Sequence, residues 1–168
     1  MKARILIMAL LAGVTAHLSA QKVKEVPCAT PEALGRQLLR CLIHNDSAGL
    51  HELVPTVNNL ELGQRENGTP GAFLISTEEA KGITQKIDSV AMSDFRKARQ
   101  VIQGIPSRSL RVTSIEETEQ AGDMPYRTIV LDLGKGTLTC SLEIRVAMGF
   151  SSGWKLGLEG FGFHCVQE

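Results

Sequence analysis

The stretch from Tyr126 to Phe161 constrains the fold more than any other part of the chain. Within it, Tyr126–Leu133 and Thr137–Phe150 alternate between apolar and polar side chains, and each is followed by a glycine-containing turn, Gly134–Gly136 and Gly149–Gly153. A period of two with one apolar face is typical of a strand that is buried on one side. Glycine-rich turns between such strands indicate antiparallel hairpins. The sequence therefore predicts a three-stranded antiparallel meander.

The meander has one apolar face and one polar face. The apolar positions are predicted to share the buried face: Ile129, Leu131, Leu133, Leu138, Cys140, Leu142, Ile144, Val146, Met148, Trp154, Leu156 and Leu158. The polar positions are predicted to share the other face: Thr128, Asp132, Thr137, Thr139, Ser141, Glu143 and Arg145. The apolar face must be covered by other elements, because it would otherwise be exposed to water.

Helices are predicted before the meander. Thr30 is suited to cap a helix with Pro31 at its first position, and four apolar residues continue it as one stripe: Leu34, Leu38, Cys41 and Leu42. Ser76 and Glu79 have the spacing of a capping box, which predicts that a helix begins at Thr77. The helical stretch Thr77–Gln103 is either one bent helix or two helices.

The connecting segments complete the predicted order. Asn45–Ser47 either ends the first helix or caps another short one, Asn58–Gly71 has the glycine and asparagine content of a long loop, and Leu110–Glu117 alternates weakly as a strand. Helices followed by strands predict an α+β fold. We expect N-terminal helices packed on one face of a curved antiparallel sheet of three to four strands.

The N-terminus has the pattern of an export signal. Lys2 and Arg4 precede the apolar run Ile5–Val14, which is too short to span a bilayer, and Leu18–Ala20 ends in small residues. We expect residues 1–20 to be a signal peptide, 21–30 a flexible lead-in and 31–168 a single domain. The protein is then periplasmic or secreted, with no membrane span after cleavage.

Composition and motifs exclude several function classes. Basic and acidic residues balance at 18 each and do not cluster, whereas a nucleic-acid-binding protein needs a basic stripe. The sequence has no catalytic, phosphate-binding or metal-binding motif, and no C-x-x-C pair. We therefore expect no nucleic-acid partner, no cofactor and no metal.

Four cysteines follow the predicted cleavage site: Cys28, Cys41, Cys140 and Cys165. In an oxidising compartment they allow two disulfides with three connectivities. A bond between Cys28 and Cys41 is disfavoured, because Cys41 lies about 15 Å along the predicted helix and Cys28 would have to fold back. We favour Cys41 with Cys140, both on predicted core faces, and Cys28 with Cys165. Buried free thiols are the alternative.

The order of elements resembles a known superfamily. Its features here are the break Leu53–Thr56, a later helix around Phe95 and a last strand opened by Gly153–Leu156. The pattern is similar to the cystatin-like α+β folds of the NTF2-like superfamily, and in particular to small exported proteins of Bacteroidetes-type bacteria. The resemblance covers Pro31–Phe161. It implies that the curved sheet and the helices form a cone that can hold a small ligand.

These observations favour an exported non-enzymatic domain. It would bind a small apolar ligand in the cone, or a protein partner through the polar sheet face, with a homodimer as one form of that contact. The candidate ligand-binding residues are Phe95, Tyr126, Leu131, Leu142 and Trp154.

Two other functions are alternatives. An isomerase- or dehydratase-like enzyme would use the cone and would need an acid or base within it, for which the polar candidates are His44, His51, Tyr126 and Asp132. The remote alternative is a cystatin-like protease inhibitor, because Gln100–Gly104 approximates the inhibitors' Q-x-V-x-G loop, although here it lies in a predicted helix. His164 is assigned to a surface tail.

Overall fold

The chain forms helices first and strands afterwards, which confirms the predicted α+β order. The computed structural model describes residues 28–66, 75–119, 126–135 and 138–167. In these ranges it has four α-helices: α1 (Pro31–His44), α2 (Ser47–Glu52), α3 (Val57–Glu66) and α4 (Thr77–Ile102). A 3-10 turn, Ser107–Ser109, leads to five strands: β1 (Val112–Glu119), β2 (Tyr126–Lys135), β3 (Leu138–Phe150), β4 (Gly153–Leu156) and β5 (Phe161–Gln167). The predicted signal peptide lies outside the described residues.

Side-chain caps start the two long helices where the sequence predicts them. The Thr30 hydroxyl accepts a hydrogen bond from the Ala33 amide at 3.1 Å and caps α1. At the start of α4, the Ser76 hydroxyl accepts from the Glu79 amide, and the Glu79 carboxylate accepts from the Ser76 amide at 2.7 Å. This is a complete capping box, and its hydrogen bonds to Ser76 lower the pKa of Glu79. From Thr77 the chain continues as one helix rather than two.

Two short helices follow α1: the first was one of the predicted alternatives, and the second replaces part of a predicted loop. The Asp46 carboxylate accepts from the Gly49 amide at 2.8 Å, so the stretch from Asn45 caps α2 rather than only ending α1. The predicted loop over Asn58–Gly71 is wrong in its first part, which is α3. The Thr56 hydroxyl caps α3, and Leu60 gives the helix a buried contact. The rest of that prediction, residues 67–71, lies outside the described residues.

The sheet is antiparallel, and β3 is its longest strand. The order β1-β2-β3-β4 confirms the predicted meander over β2, β3 and β4. β4 pairs with the C-terminal part of β3, from Ala147 to Phe150, and β5 pairs with its N-terminal part, from Leu138 to Ile144. The structure thus adds β5 to the predicted strands, and His164 lies within it rather than in a tail.

The apolar face of the sheet forms the centre of the core. Its main members are at most 1% exposed: Ile129, Leu131, Leu133, Cys140, Leu142 and Ile144. α1 lies directly on this face, because Gly35 leaves no side chain between the helix and Leu131. α4 packs along β5 and against α1, α2 and α3. The Arg99 guanidinium of α4 donates to the Leu42 carbonyl at 2.7 Å and so caps the C-terminal end of α1.

The predicted alternation fails near the end of β3. Arg127 pairs with Ala147 whereas Ile129 pairs with Ile144, so β3 contains one extra residue at this point. As a result Ala147 is fully buried and Val146, predicted on the core face, is only partly buried.

The predicted burial of Leu158, just after β4, is also wrong. Leu158 is 43% exposed rather than buried, because β4 ends at Leu156 and the chain then turns. Gly160 sits in this turn with φ +65°, and a Cβ there would clash with the Asp94 carboxylate. Glycine is therefore required where the chain reverses into β5.

Candidate functional site

Among the described residues, the helices pack on one side of the sheet and none of these helices covers its other side. We define the open sheet face as the side chains of β1, β2, β3 and β5 that point away from the core: Ser114, Glu116, Thr118, Thr128, Val130, Asp132, Thr139, Ser141, Glu143, Arg145, His164 and Val166. Each of them is exposed or partly exposed. This face contains the predicted polar residues of the meander except Thr137, which lies outside the described residues. It also contains residues of β1 and β5 that sequence reasoning did not place there.

Charge is unevenly distributed over the open sheet face. Glu116 and Asp132 lie on β1 and β2, whereas Arg145 and His164 lie on β3 and β5. Glu143 lies between them on β3. The Arg145 guanidinium also donates to the Glu159 carbonyl at 3.0 Å, which holds its stem across the end of the sheet. The side formed by β1 and β2 therefore carries two carboxylates, whereas the side formed by β3 and β5 carries Arg145 and His164 together with the Glu143 carboxylate.

A serine, a histidine and an aspartate lie in one row of this face, but not as a catalytic triad. The register places Asp132 opposite Ser141 and Ser141 opposite His164. Neighbouring strands are about 4.8 Å apart, so Asp132 and His164 are separated by roughly 10 Å. A triad needs the histidine between the other two groups, whereas here the serine is in the middle. Asp132 instead accepts a hydrogen bond from the Ser114 hydroxyl at 2.6 Å.

Three of the five predicted ligand-binding residues belong to the packed core. Leu131 and Leu142 are opposite each other in the register and are fully buried, and Phe95 of α4 is 4% exposed. A Cβ on Gly35 would lie 2.5 Å from a Leu131 methyl group, so α1 touches the sheet at this point. These residues are in contact with protein on the side where the cone was expected.

The other two predicted residues lie at the end of the sheet. Tyr126 is the first residue of β2, opposite Met148, and Trp154 is the second residue of β4, opposite Gly149. Both are partly buried. The Arg127 guanidinium lies over the Trp154 ring at 5.9 Å from its centre and also forms an ion pair with Glu119 at 2.9 Å. The five candidates therefore divide between the core and the rim of the sheet.

The polar candidates of the enzyme alternative are dispersed. His44 is exposed at the end of α1. His51 of α2 forms a hydrogen bond with Asp88 of α4 at 2.5 Å, in the helical layer. Asp132 lies on the open sheet face. Within the described ranges no polar or charged residue is buried. The Q-x-V-x-G-like stretch begins in the last turn of α4, so its first residues, Gln100–Ile102, are helical rather than part of a hairpin.

The structure corrects the favoured cysteine pairing. Cys140 and Cys165 form a disulfide, whereas Cys28 and Cys41 are free thiols. Cys140 of β3 and Cys165 of β5 are directly opposite in the register, with a Cα–Cα distance of 4.0 Å. The predicted bond between Cys41 and Cys140 is wrong because β5, which was not predicted as a strand, places Cys165 beside Cys140.

A shallow cleft of about 140 Å³ lies where α4 runs along β5. Asp94, Lys97 and Val101 line it from the helix, and Arg145, Phe161 and His164 line it from the sheet. The Asp94 carboxylate accepts from the Phe161 amide at 3.2 Å and pairs with the Lys97 ammonium at 3.2 Å. The cleft continues from the open sheet face around the edge of β5.

Comparison with known proteins gives no match: no protein-family model, curated protein or solved structure matches this chain. Within the described ranges, none of the helices has both the length and the apolar composition needed to cross a bilayer. The same ranges contain no group of three or more metal-ligating side chains close enough to hold an ion. The cystatin-like and NTF2-like resemblance remains an expectation from the sequence pattern.

Proposed function

We propose that this chain is an exported, non-enzymatic binding domain that associates with a second copy of itself through the open sheet face. The observation that carries this proposal is the one-sided cover of the sheet. A disulfide between Cys140 and Cys165 is compatible with an oxidising compartment.

Charge on the open sheet face supports a second copy as the occupant. In a twofold interface the same patch is used by both copies, so each half of the patch meets the other half of its partner. The carboxylates of Glu116 and Asp132 would then lie over the Arg145 guanidinium, twice per dimer. Complementary charge fixes the orientation of the two faces more than it adds affinity.

The size of the face indicates a reversible dimer. Four strands at about 4.8 Å and seven or eight paired residues at about 3.4 Å give roughly 500 Å² in projection. Two such faces cover roughly 1,000 Å², the lower limit for a specific interface. We therefore expect an equilibrium between monomer and dimer that depends on protein concentration.

Charge reversal tests this arrangement. Sedimentation velocity over a concentration series should show association of the mature chain, and both Arg145→Glu and Glu116→Arg should weaken it at least tenfold. The double variant should recover most of the affinity, because each new pair has the opposite polarity. Arg96→Glu is the matched control, since Arg96 is exposed on α4. A wild-type chain that stays monomeric at high concentration, or a double variant as weak as the single ones, would contradict the proposal.

The apolar-ligand hypothesis and the enzyme hypothesis have less support. Both need room inside the cone, where α1 contacts Leu131 and the paired Leu142 is fully buried. The enzyme hypothesis also needs a titratable group there, and its polar candidates lie in the helical layer, at the rim or on the open sheet face.

A further inference from the structure

The two free cysteines lie at the same junction of the fold, where β4 meets the start of α1 and the end of α2. The Cys28 carbonyl accepts from the Trp154 amide at 2.8 Å, and the Leu53 carbonyl accepts from the Leu156 amide at 2.9 Å. Those amides are two residues apart on one edge of β4, so the two carbonyls are about 7 Å apart. Cys28 therefore lies beside Leu53, which follows α2.

Cys41 faces the same junction from α1. A Cβ on Gly49 would lie 3.0 Å from the Cys41 sulfur, so this thiol contacts α2. Gly49 precedes Leu53 by four residues, about 6 Å along a helix. Cys28 has a left-handed backbone, φ +56°, which turns the chain just before α1. The chain thus folds back before α1, which is the reversal that a bond between Cys28 and Cys41 needs.

Cys28 also acts electrostatically on Cys41. Burial, followed by the negative charges of Asp46, Cys28 and Glu52, raises the pKa of Cys41 to about 11. Burial raises the pKa of Cys28 too, while the Lys155 ammonium opposes this effect.

We propose that Cys28 and Cys41 are a second disulfide site, which on oxidation joins the segment before α1 to the third turn of that helix. The oxidant is a small-molecule disulfide such as oxidised glutathione. The Cys28 thiolate attacks one of its sulfurs, forming a mixed disulfide and releasing one thiol. The Cys41 thiolate then attacks the Cys28 sulfur and releases the second thiol. Two protein thiols have lost two protons and two electrons, and the oxidant has gained them.

Cys28 is the first nucleophile in this sequence. It is partly exposed whereas Cys41 is 1% exposed, and Lys155 favours its thiolate. The bond would close a short loop, because the two cysteines are 13 positions apart (41 − 28). It would hold the end of the lead-in against β4 independently of any dimer contact.

Peptide mapping of the wild-type mature chain tests the proposal without a substitution. The chain is incubated with oxidised glutathione, free thiols are alkylated, and the protein is digested with trypsin without reduction. Trypsin separates all four cysteines, in peptides 25–36, 41–65, 136–145 and 156–168. We expect one link between 25–36 and 41–65 beside the link between 136–145 and 156–168, and a fall in free thiols from two per chain to zero.

Other linkage patterns would overturn the proposal. They include two alkylated thiols after exhaustive oxidation, a link from 25–36 to 156–168, and a link between two copies of 25–36. Cys28→Ser supplies a second measurement: its Cys41 should then take up one glutathione far more slowly than Cys28 does in Cys41→Ser, and equal rates would also contradict the account. None of these readouts depends on association of the open sheet face.

Discussion

Substitution of two helical glycines by alanine tests the close packing of α1 on the sheet. Gly35 and Gly82 both lie inside helices, so alanine should stabilise each by about 1 kcal/mol through helix propensity. Their surroundings differ. A Cβ on Gly82 meets nothing within 4 Å, whereas a Cβ on Gly35 would lie 2.5 Å from a methyl group of the fully buried Leu131.

The expected magnitudes follow from this contrast. Inserting a methyl group into a packed core costs about 1–3 kcal/mol. Gly82→Ala should therefore raise the free energy of unfolding by about 1 kcal/mol. Gly35→Ala should leave it unchanged or lower it by up to about 2 kcal/mol, since the propensity gain offsets part of the clash.

Urea unfolding followed by circular dichroism gives both values, and the difference between the variants isolates the contact of α1 with β2. We expect a difference of roughly 1–3 kcal/mol, or a separation in Tm of several degrees at about 2–4 °C per kcal/mol. Equal stabilisation by the two substitutions would refute the packing of α1 on Leu131.

Three further substitutions test other parts of the fold. Leu142→Ala should lower the free energy of unfolding in urea by about 2–5 kcal/mol, because Leu142 is fully buried. Leu158→Ala, at a position that is 43% exposed, should change it by less than about 0.5 kcal/mol. Similar losses in the two variants would contradict the assignment of the core. Ser76→Ala should destabilise α4 by removing the capping hydroxyl. Because the pKa of Glu79 is lowered in the folded state, the part of the stability loss that depends on Glu79 should be present at neutral pH and should disappear as pH falls below about 4.5. A loss of stability that is constant with pH would contradict the capping box. Asp94→Ala should cost about 1–3 kcal/mol by removing the acceptor of the Phe161 amide, and hydrogen exchange at that amide should accelerate; unchanged exchange would contradict the contact.

The sequence predicted the fold best where a local signal acts alone. The capping box at Ser76 and Glu79 and the alternation through Leu138–Ile144 are such signals, and both are confirmed. β5 could have been found, since Phe161, Phe163 and Cys165 also alternate. The stretch was instead assigned to a surface tail, because its strand state depends on pairing with β3.

Features that depend on contacts between segments far apart in the sequence could not be predicted from it. The partner of Cys140 depends on which strand lies beside β3, and this in turn depends on the turn at Gly160. The same limit applies to the open sheet face. Its residues on β3 were predicted from alternation, but the addition of Glu116 and His164 follows from the strand order.

Solvent exposure of two adjacent residues on β2 tests the central claim most directly. Val130 points to the open sheet face and Leu131 points into the core. The experiment uses methyl-labelled protein and a soluble gadolinium chelate, which enhances the relaxation of exposed methyl signals. We expect this enhancement for Val130 in the monomeric Arg145→Glu variant but not in the associated wild type. The Leu131 methyl signals should be protected from it in both proteins. A Val130 signal that is protected even in the monomer, or a Leu131 signal that relaxes with it, would contradict a sheet that is covered by helices on one side and available for association on the other.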